Sequence, residues 1–321
     1  MFSVKLAICT MIALVDALLQ SRLVPCLKKK RKFGKYCQTS SCRSRSHLSG
    51  TAVSGKKNHM QSEDKRTYLG NPSVTPTALA HTLWRSTILP YEDTVIDATC
   101  GNGKDCLALA KMLFPDASDD ATIEGSPQLI GIDIQARAVE NTRRSLLASL
   151  PSNIYYNHLA LLEQSHEHLL DVPKDTGSVG LVCYNLGYLP GAPSESDPEI
   201  PADYKQTQTQ TSCTLSSITD AALLLRVGGL LSVMTYPGSN LEESVAVEHL
   251  AEGLAMLTTR NEGGWEGYVD EIEDETIRQL VRQALVEIVD KGDKKQTWRA
   301  FVHEPLGRPL SPVLVTAMRI K

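Results

Sequence analysis

The residues best suited to chemistry begin with a short run, Asp97-Ala98-Thr99-Cys100-Gly101-Asn102-Gly103. Gly101 and Gly103 let a backbone turn tightly and approach a ligand closely, which a Cβ would block. The helix expected directly afterwards would add free N–H groups facing that ligand. The spacing is not that of a dinucleotide loop, because Cys106 stands three positions after Gly103. Asp97 precedes the glycines, where a carboxylate repels pyrophosphate but suits an ammonium or a sulfonium. A second acid, Asp133, closes the next apolar run, QLIGIDI, at a strand tip where a carboxylate can bind both ribose hydroxyls of an adenosine. Together the two acids favour S-adenosylmethionine over NAD. For the first motif alone, a plain glycine turn before a helix is the competing explanation.

A second concentration of special residues is Asn185-Leu186-Gly187-Tyr188-Leu189-Pro190-Gly191, which follows the buried run VGLVCYNL. In open α/β sheets ligands bind at the carboxyl ends of the strands, so this loop should face the cofactor. Asn185 can accept a hydrogen bond from a substrate N–H and aim the nitrogen lone pair, and Tyr188 can stack on a base or close the pocket. Leu186, Gly187 and Pro190 would then line the substrate side. The competing explanation is a rigid turn capped by Asn185, with Tyr188 in the core. Gln164-Ser165-His166 follows the third strand, where an adenine amine would lie. His166 is assigned to cofactor binding ahead of catalysis, although a lone histidine is more often simply a satisfied core or surface residue.

The elements that must hold these residues alternate. TVIDATC, QLIGIDI, NIYYNHL, VGLVCYNL and GGLLSVMTY are expected as strands one to five. KDCLALAKMLF and ARAVENTRRSLLASL carry helical periodicity, and further helices are expected over 213–226 and 241–257. TWRAFVHE and PVLVTAMRI flank a turn and suggest a closing antiparallel hairpin. This pattern predicts an α/β protein with a mostly parallel sheet. The acidic stretch 261–292 looks like a partly helical insertion.

Charge divides the 321-residue chain. Residues 1–66 hold 14 Lys and Arg against 3 acids, and the remainder holds 19 against 34, so a net charge of −4 hides a basic leader on an acidic body at −15. The leader is Ser-rich and acid-poor, as an organellar transit peptide is. A nucleic-acid-holding tail and a nuclear signal at Lys28–Lys32 are the alternatives. Its apolar run, residues 6–20, is too short to span a membrane, and no stable membrane association is expected. The eight cysteines form no CxxC pair, so neither a disulfide framework nor a metal site is expected.

DATCGNG, GIDIQ, QSH and NLGYLPG together resemble the bacterial YtqB-type proteins labelled rRNA methylases, over about 78–260 and again from about 297 to 321. The resemblance implies a Rossmann-like class I methyltransferase fold with a seven-stranded sheet and S-adenosylmethionine as cofactor. Bacterial members methylate the 5-aminomethyl group of wobble uridine 34 in tRNA. By motif, Asn102, Asp105, Asp133, Gln135, Ser165 and His166 would line the cofactor site, and Asn185, Tyr188 and Tyr236 would sit toward the substrate. Two departures stand out: Ala192-Pro193-Ser194 where the family often has an acid, and Tyr236-Pro237-Gly238 where Tyr-His-Gly is common. Methylation of rRNA or of a small amine, and a non-catalytic RNA-binding protein, are the rival functions; a homodimer is compatible with all of them. The expected partner is RNA, tRNA first, in a plastid or mitochondrion, with cytoplasm or nucleus as the alternative.

Overall fold

The computed structural model describes residues 75–118, 123, 128–172, 179–187, 209–257, 264–308 and 310–321. All of these belong to the compact unit formed by residues 65–321. The leader expected over 1–66 lies outside them.

Seven strands form one sheet in the order β3-β2-β1-β4-β5-β7-β6. They are β1 Thr94–Asp97, β2 Gln128–Asp133, β3 Leu159–Glu163, β4 Val179–Asn185, β5 Leu225–Thr235, β6 Trp298–His303 and β7 Val313–Arg319. The first five pair in parallel, while β7 runs antiparallel to both β5 and β6. The mostly parallel sheet and its C-terminal antiparallel hairpin therefore form as expected. Strand order reverses between β1 and β4, which opens the crevice where this architecture binds ligands.

Alternation along the strands divides the core. Ile96, Ile130, Val182 and Val233 point to one face, covered by α5 (Thr211–Leu224), α6 (Leu241–Met256) and α8 (Glu275–Lys291). Val95, Leu129, Leu181 and Met234 point to the other, covered by α1 (Pro76–Thr87) and α2 (Lys104–Leu113). Neighbouring residues of a strand face opposite sides, so parallel strands buried on both faces need continuous apolar runs. Helix α3, Ala136–Leu147, completes the β2 to β3 crossover.

Two elements differ from expectation, the third strand and the first helix. NIYYNHL is not the third strand: residues 152–158 form a short helix, α4, and β3 is the LALLE segment after it. β3 pairs with β2 from Leu159 opposite Leu129 onward, so tertiary pairing overrides the β propensity of the Ile-Tyr-Tyr run. The acidic stretch 261–292 is helical in part, as expected, and its helices pack into the core. It supplies α7, Gly264–Asp270, and α8, whose Ile277, Val281, Leu285 and Ile288 are buried in the same cluster as α5 and α6. Asp274 caps α8 by accepting the Thr276 and Ile277 N–H groups at 2.9 and 3.1 Å. Helix α1 was not anticipated by the strand-helix pattern. Thr75 caps it, Pro76 opens it, and Ala80 and Trp84 bury against the sheet. No helix among the described residues is long and apolar enough to cross a membrane.

Trp84 fixes α1 by donating its indole N–H to Ser232 Oγ of β5 at 2.9 Å, in a buried setting. Trp84→Phe should remove that bond, leave Ser232 short of a partner and lower unfolding free energy by about 1–2 kcal/mol. A thermal melt reads this directly; an unchanged midpoint would contradict the anchoring role.

Candidate active site

β1 ends at Asp97, and the chain turns through Gly101 (φ 52°) and Gly103 (φ 78°) into α2. Both glycines lie in the left-handed region that a side chain resists. A Cβ on Gly103 would also stand 2.8 Å from the Thr142 Cα of α3. Helix α3 grips the loop from outside: Thr142 Oγ1 donates to the Gly101 carbonyl at 2.9 Å, and Asn141 Nδ2 donates to Asn102 Oδ1 at 2.9 Å. Asp133 links the loop to β2, accepting the Gly101 N–H on one oxygen and the Gln135 N–H on the other, each at 2.9 Å. Each oxygen keeps a lone pair, as a carboxylate needs if it is to take two neighbouring hydroxyls.

The electrostatics of this corner are one-sided. Asp97 is 2 % exposed, and burial first, then the Asp105 charge, pushes its carboxyl up to about 7 despite bonds from Cys106 Sγ and the Thr99 N–H. Burial likewise raises Asp133 against the pull of its two N–H donors. Among the described residues no Lys or Arg forms an ion pair with Asp97, Asp105 or Asp133; the only basic group there is His81, whose Nε2 lies 2.8 Å from Asp105 Oδ1. Three carboxylates converge where a cation would relieve them. The sign for stability follows. Asp97 ionises near 3.8 when exposed and near 7 when folded, so its contribution to stability declines as pH rises between those values and is constant above.

Asn185, the last residue of β4, is held on three sides. Its N–H donates to Thr99 Oγ1 at 2.7 Å, its Nδ2 donates to Asp105 Oδ2 at 3.3 Å, and its Oδ1 accepts the Tyr236 hydroxyl at 2.7 Å. The amide is thereby fixed in one orientation at the mouth of a cleft lined by Thr77, Trp84, Asp97, Asp105, Asn185 and Met234. His81 packs tilted against Trp84 of the same helix, α1, with ring centroids 4.7 Å apart, and Trp84 forms one wall of the cleft. His81 is a site residue that the motif reading missed. The signal available was the Thr75-Pro76 helix start followed by Ala80 and Trp84 at helical spacing.

The remaining expected residues fall as follows. Asp105 sits between His81 and Asn185, bonded to both. Gln135 occupies the N-cap position of α3 beside Asp133 without a side-chain capping bond, and Ser165 caps the 3-10 turn His166–Asp171, accepting the Glu167 N–H at 3.2 Å. His166 packs edge-on against Tyr184 at 6.0 Å, burial lowers its pKa, and its buried Nε2 has no hydrogen-bond partner among the described residues. A buried ring nitrogen without a partner is expensive unless a ligand group meets it. Leu186 is fully buried, and the Gly187 position faces the Tyr236 ring. Tyr188 and Pro190 lie outside the described residues.

A family described as "Putative rRNA methylase" matches residues 129–260. The rRNA methylase pattern thus covers β2 through α6. It takes in Asp133, Gln135, Ser165, His166, Asn185 and Tyr236, and it begins after Asp97, Asp105 and His81. A protein of Arabidopsis thaliana, tRNA (mnm(5)s(2)U34)-methyltransferase, chloroplastic, is 33 % identical over 182 residues, which is 56 % of this chain and 60 % of the relative. The chain thus matches less than two thirds of that relative's length. Among solved structures, a "putative rRNA-methylase" from Clostridium thermocellum superposes with a TM-score of 0.47 at 20 % identity, over 77 % of this chain and 98 % of the other. An rRNA methylase from Streptococcus thermophilus gives 0.42 at 22 %, over the same shares.

Proposed function

We propose that this chain is an S-adenosylmethionine-dependent N-methyltransferase acting on RNA, and that its substrate is the 5-aminomethyl group of tRNA wobble uridine 34. The observation that carries the proposal is the set of converging carboxylates, Asp97, Asp105 and Asp133, which lack any Lys or Arg partner among the described residues beside a positioned amide. The family match and the Arabidopsis relative's name support the RNA class and the tRNA substrate. The basic leader together with that relative's chloroplastic name supports an organellar location.

The donor set fits the cofactor. Asp133 would hold the ribose hydroxyls, the Gly101–Gly103 turn would let the ligand lie close to the backbone, and Asp97 would face positive charge. His166 Nε2 offers a buried polar atom to the base. When bound, S-adenosylmethionine supplies an electrophilic methyl group. The chain's own work is positional. Asn185, locked by Tyr236 and Asp105, keeps one acceptor lone pair to orient the attacking nitrogen, and alignment can supply much of such a rate. An alkylammonium must lose a proton before it attacks. Asp105 can hold that proton beside Asn185, and His81 Nε2 can take it onward.

A raised Asp97 makes cofactor affinity pH-dependent. A cationic ligand selects the ionised carboxylate, so affinity should fall roughly tenfold per pH unit below about 7 and level off above about 8. Calorimetry in buffers of different ionisation enthalpy should show proton release near neutrality. A flat profile from pH 5.5 to 8.5 would remove Asp97 from the cation's surroundings. For the reaction itself, label transfer from methyl-labelled S-adenosylmethionine is measured with total tRNA and with rRNA. Label confined to tRNA is expected; label in rRNA alone, or in neither, would overturn the assignment.

A further inference from the structure

An acidic body needs some local means of holding a polyanion, and one groove supplies it. On the sheet face covered by α1 and α2, a groove between the two helices is lined by His81, Arg85, Lys104, Leu107, Ala108 and Lys111, among others, with no carboxylate in its lining among the described residues. Periodicity places these residues together. His81 and Arg85 are four apart on α1, while Lys104, Leu107, Ala108 and Lys111 follow the 0, 3, 4, 7 spacing of one stripe on α2. Arg85, Lys104 and Lys111 are exposed. Arg143, Arg144, Arg226, Arg278, Arg282 and Lys291 are each committed to a carboxylate, whereas Arg85, Lys104 and Lys111, like Arg137, Lys294, Lys295 and Arg308, join no ion pair among the described residues. Of these unpaired cations, only Arg85, Lys104 and Lys111 share one groove among the described residues. In a chain whose residues 67–321 sum to −15, three free cations in one groove are a concentration of opposite sign.

The groove also leads to the chemistry. His81 belongs to its wall and bonds Asp105, which bonds Asn185. We propose that the α1–α2 groove is the track for the RNA backbone next to the target nucleotide, with Arg85, Lys104 and Lys111 neutralising its phosphates. This deepens, and rests on, the assignment of the chain as an RNA methyltransferase. Phosphate contacts of this kind position the substrate without reading bases. They would hold a strand across α1 and α2 while the target base enters the Asn185 cleft.

The test uses the full-length chain and fluorescently labelled tRNA, with anisotropy read across salt concentration. Each cation that neutralises a phosphate contributes about 0.7–0.9 to the slope of log affinity against log salt. Arg85→Ala with Lys111→Ala should lower that slope by about 1.5 and weaken tRNA binding by roughly tenfold at moderate salt. S-adenosylmethionine affinity and kcat should stay unchanged while KM for tRNA rises. The paired substitution Arg143→Ala with Arg144→Ala, on exposed α3, controls for net charge and should leave the slope nearly as it was. An unchanged slope in the groove variant, or an equal fall in both variants, would overturn the proposal. The outcome is separable from the catalytic assignment. A groove-dependent slope without methyl transfer would fail the reaction and keep the groove, whereas methyl transfer with a groove-independent slope would do the reverse.

Discussion

Asn185→Ala is expected to lower the turnover of methyl transfer by about 10²–10³-fold, with S-adenosylmethionine affinity changed no more than about twofold. The size follows from what the side chain does. Its amide receives the Tyr236 hydroxyl and donates to Asp105, so it is already oriented before substrate arrives and needs no reorganisation in the transition state. Truncation removes the acceptor proposed to orient the nitrogen and frees both neighbours to turn elsewhere. Tyr236→Phe keeps the amide but loses its anchor, and should cost roughly tenfold in kcat. In the Asn185→Ala background the same change should cost almost nothing, because the two residues act as one unit. Additive losses would mean that Tyr236 works independently. Loss of cofactor binding in Asn185→Ala would move Asn185 to the cofactor site.

Asp133→Ala should show the opposite pattern. In its proposed role Asp133 would accept two hydroxyl hydrogen bonds as an ionised carboxylate, and the Gly101 and Gln135 N–H groups lose their acceptor as well. Each charge-assisted bond is worth about 1.5–3 kcal/mol, so affinity for S-adenosylmethionine should drop by at least about 100-fold. Turnover at saturating cofactor should suffer far less. Circular dichroism and a melting curve establish that the variant is folded, since the loop it braces also packs against α3. Wild-type cofactor affinity in a folded Asp133→Ala protein would exclude the ribose role.

Much of this site is legible in sequence because its residues sit at strand ends. The runs TVIDATC, QLIGIDI, VGLVCYNL and GGLLSVMTY are buried on both faces, and continuous apolar runs of that kind announce themselves. Where each run stops, Asp97, Asp133 and Asn185 appear at the carboxyl edge, as the topology requires. The third strand was misplaced because Ile154, Tyr155 and Tyr156 favour strands locally, whereas the register against β2 selects Leu159–Glu163. The packing of residues 264–291 was illegible for a different reason. Their acidic surface suggested an insertion, but α8 turns a five-residue apolar stripe inward, and only the neighbouring α5 and α6 show what it covers. His81 was missed because a histidine among small and polar residues carries no signal until α1 is laid against Asp105. Tyr188, Pro190 and the leader lie outside the described residues and stand on sequence alone.

Opposed effects of Asn185→Ala and Asp133→Ala would divide the crevice into the proposed substrate-orienting half and the proposed cofactor-binding half. They leave the reaction itself to a direct assay. The most direct measurement is nucleoside mass spectrometry of tRNA bearing 5-aminomethyluridine at position 34, after incubation with the full chain and S-adenosylmethionine. The account predicts conversion of that nucleoside to 5-methylaminomethyluridine, dependent on cofactor and abolished to near background in Asn185→Ala. Unconverted 5-aminomethyluridine from a protein that binds both cofactor and tRNA would contradict it.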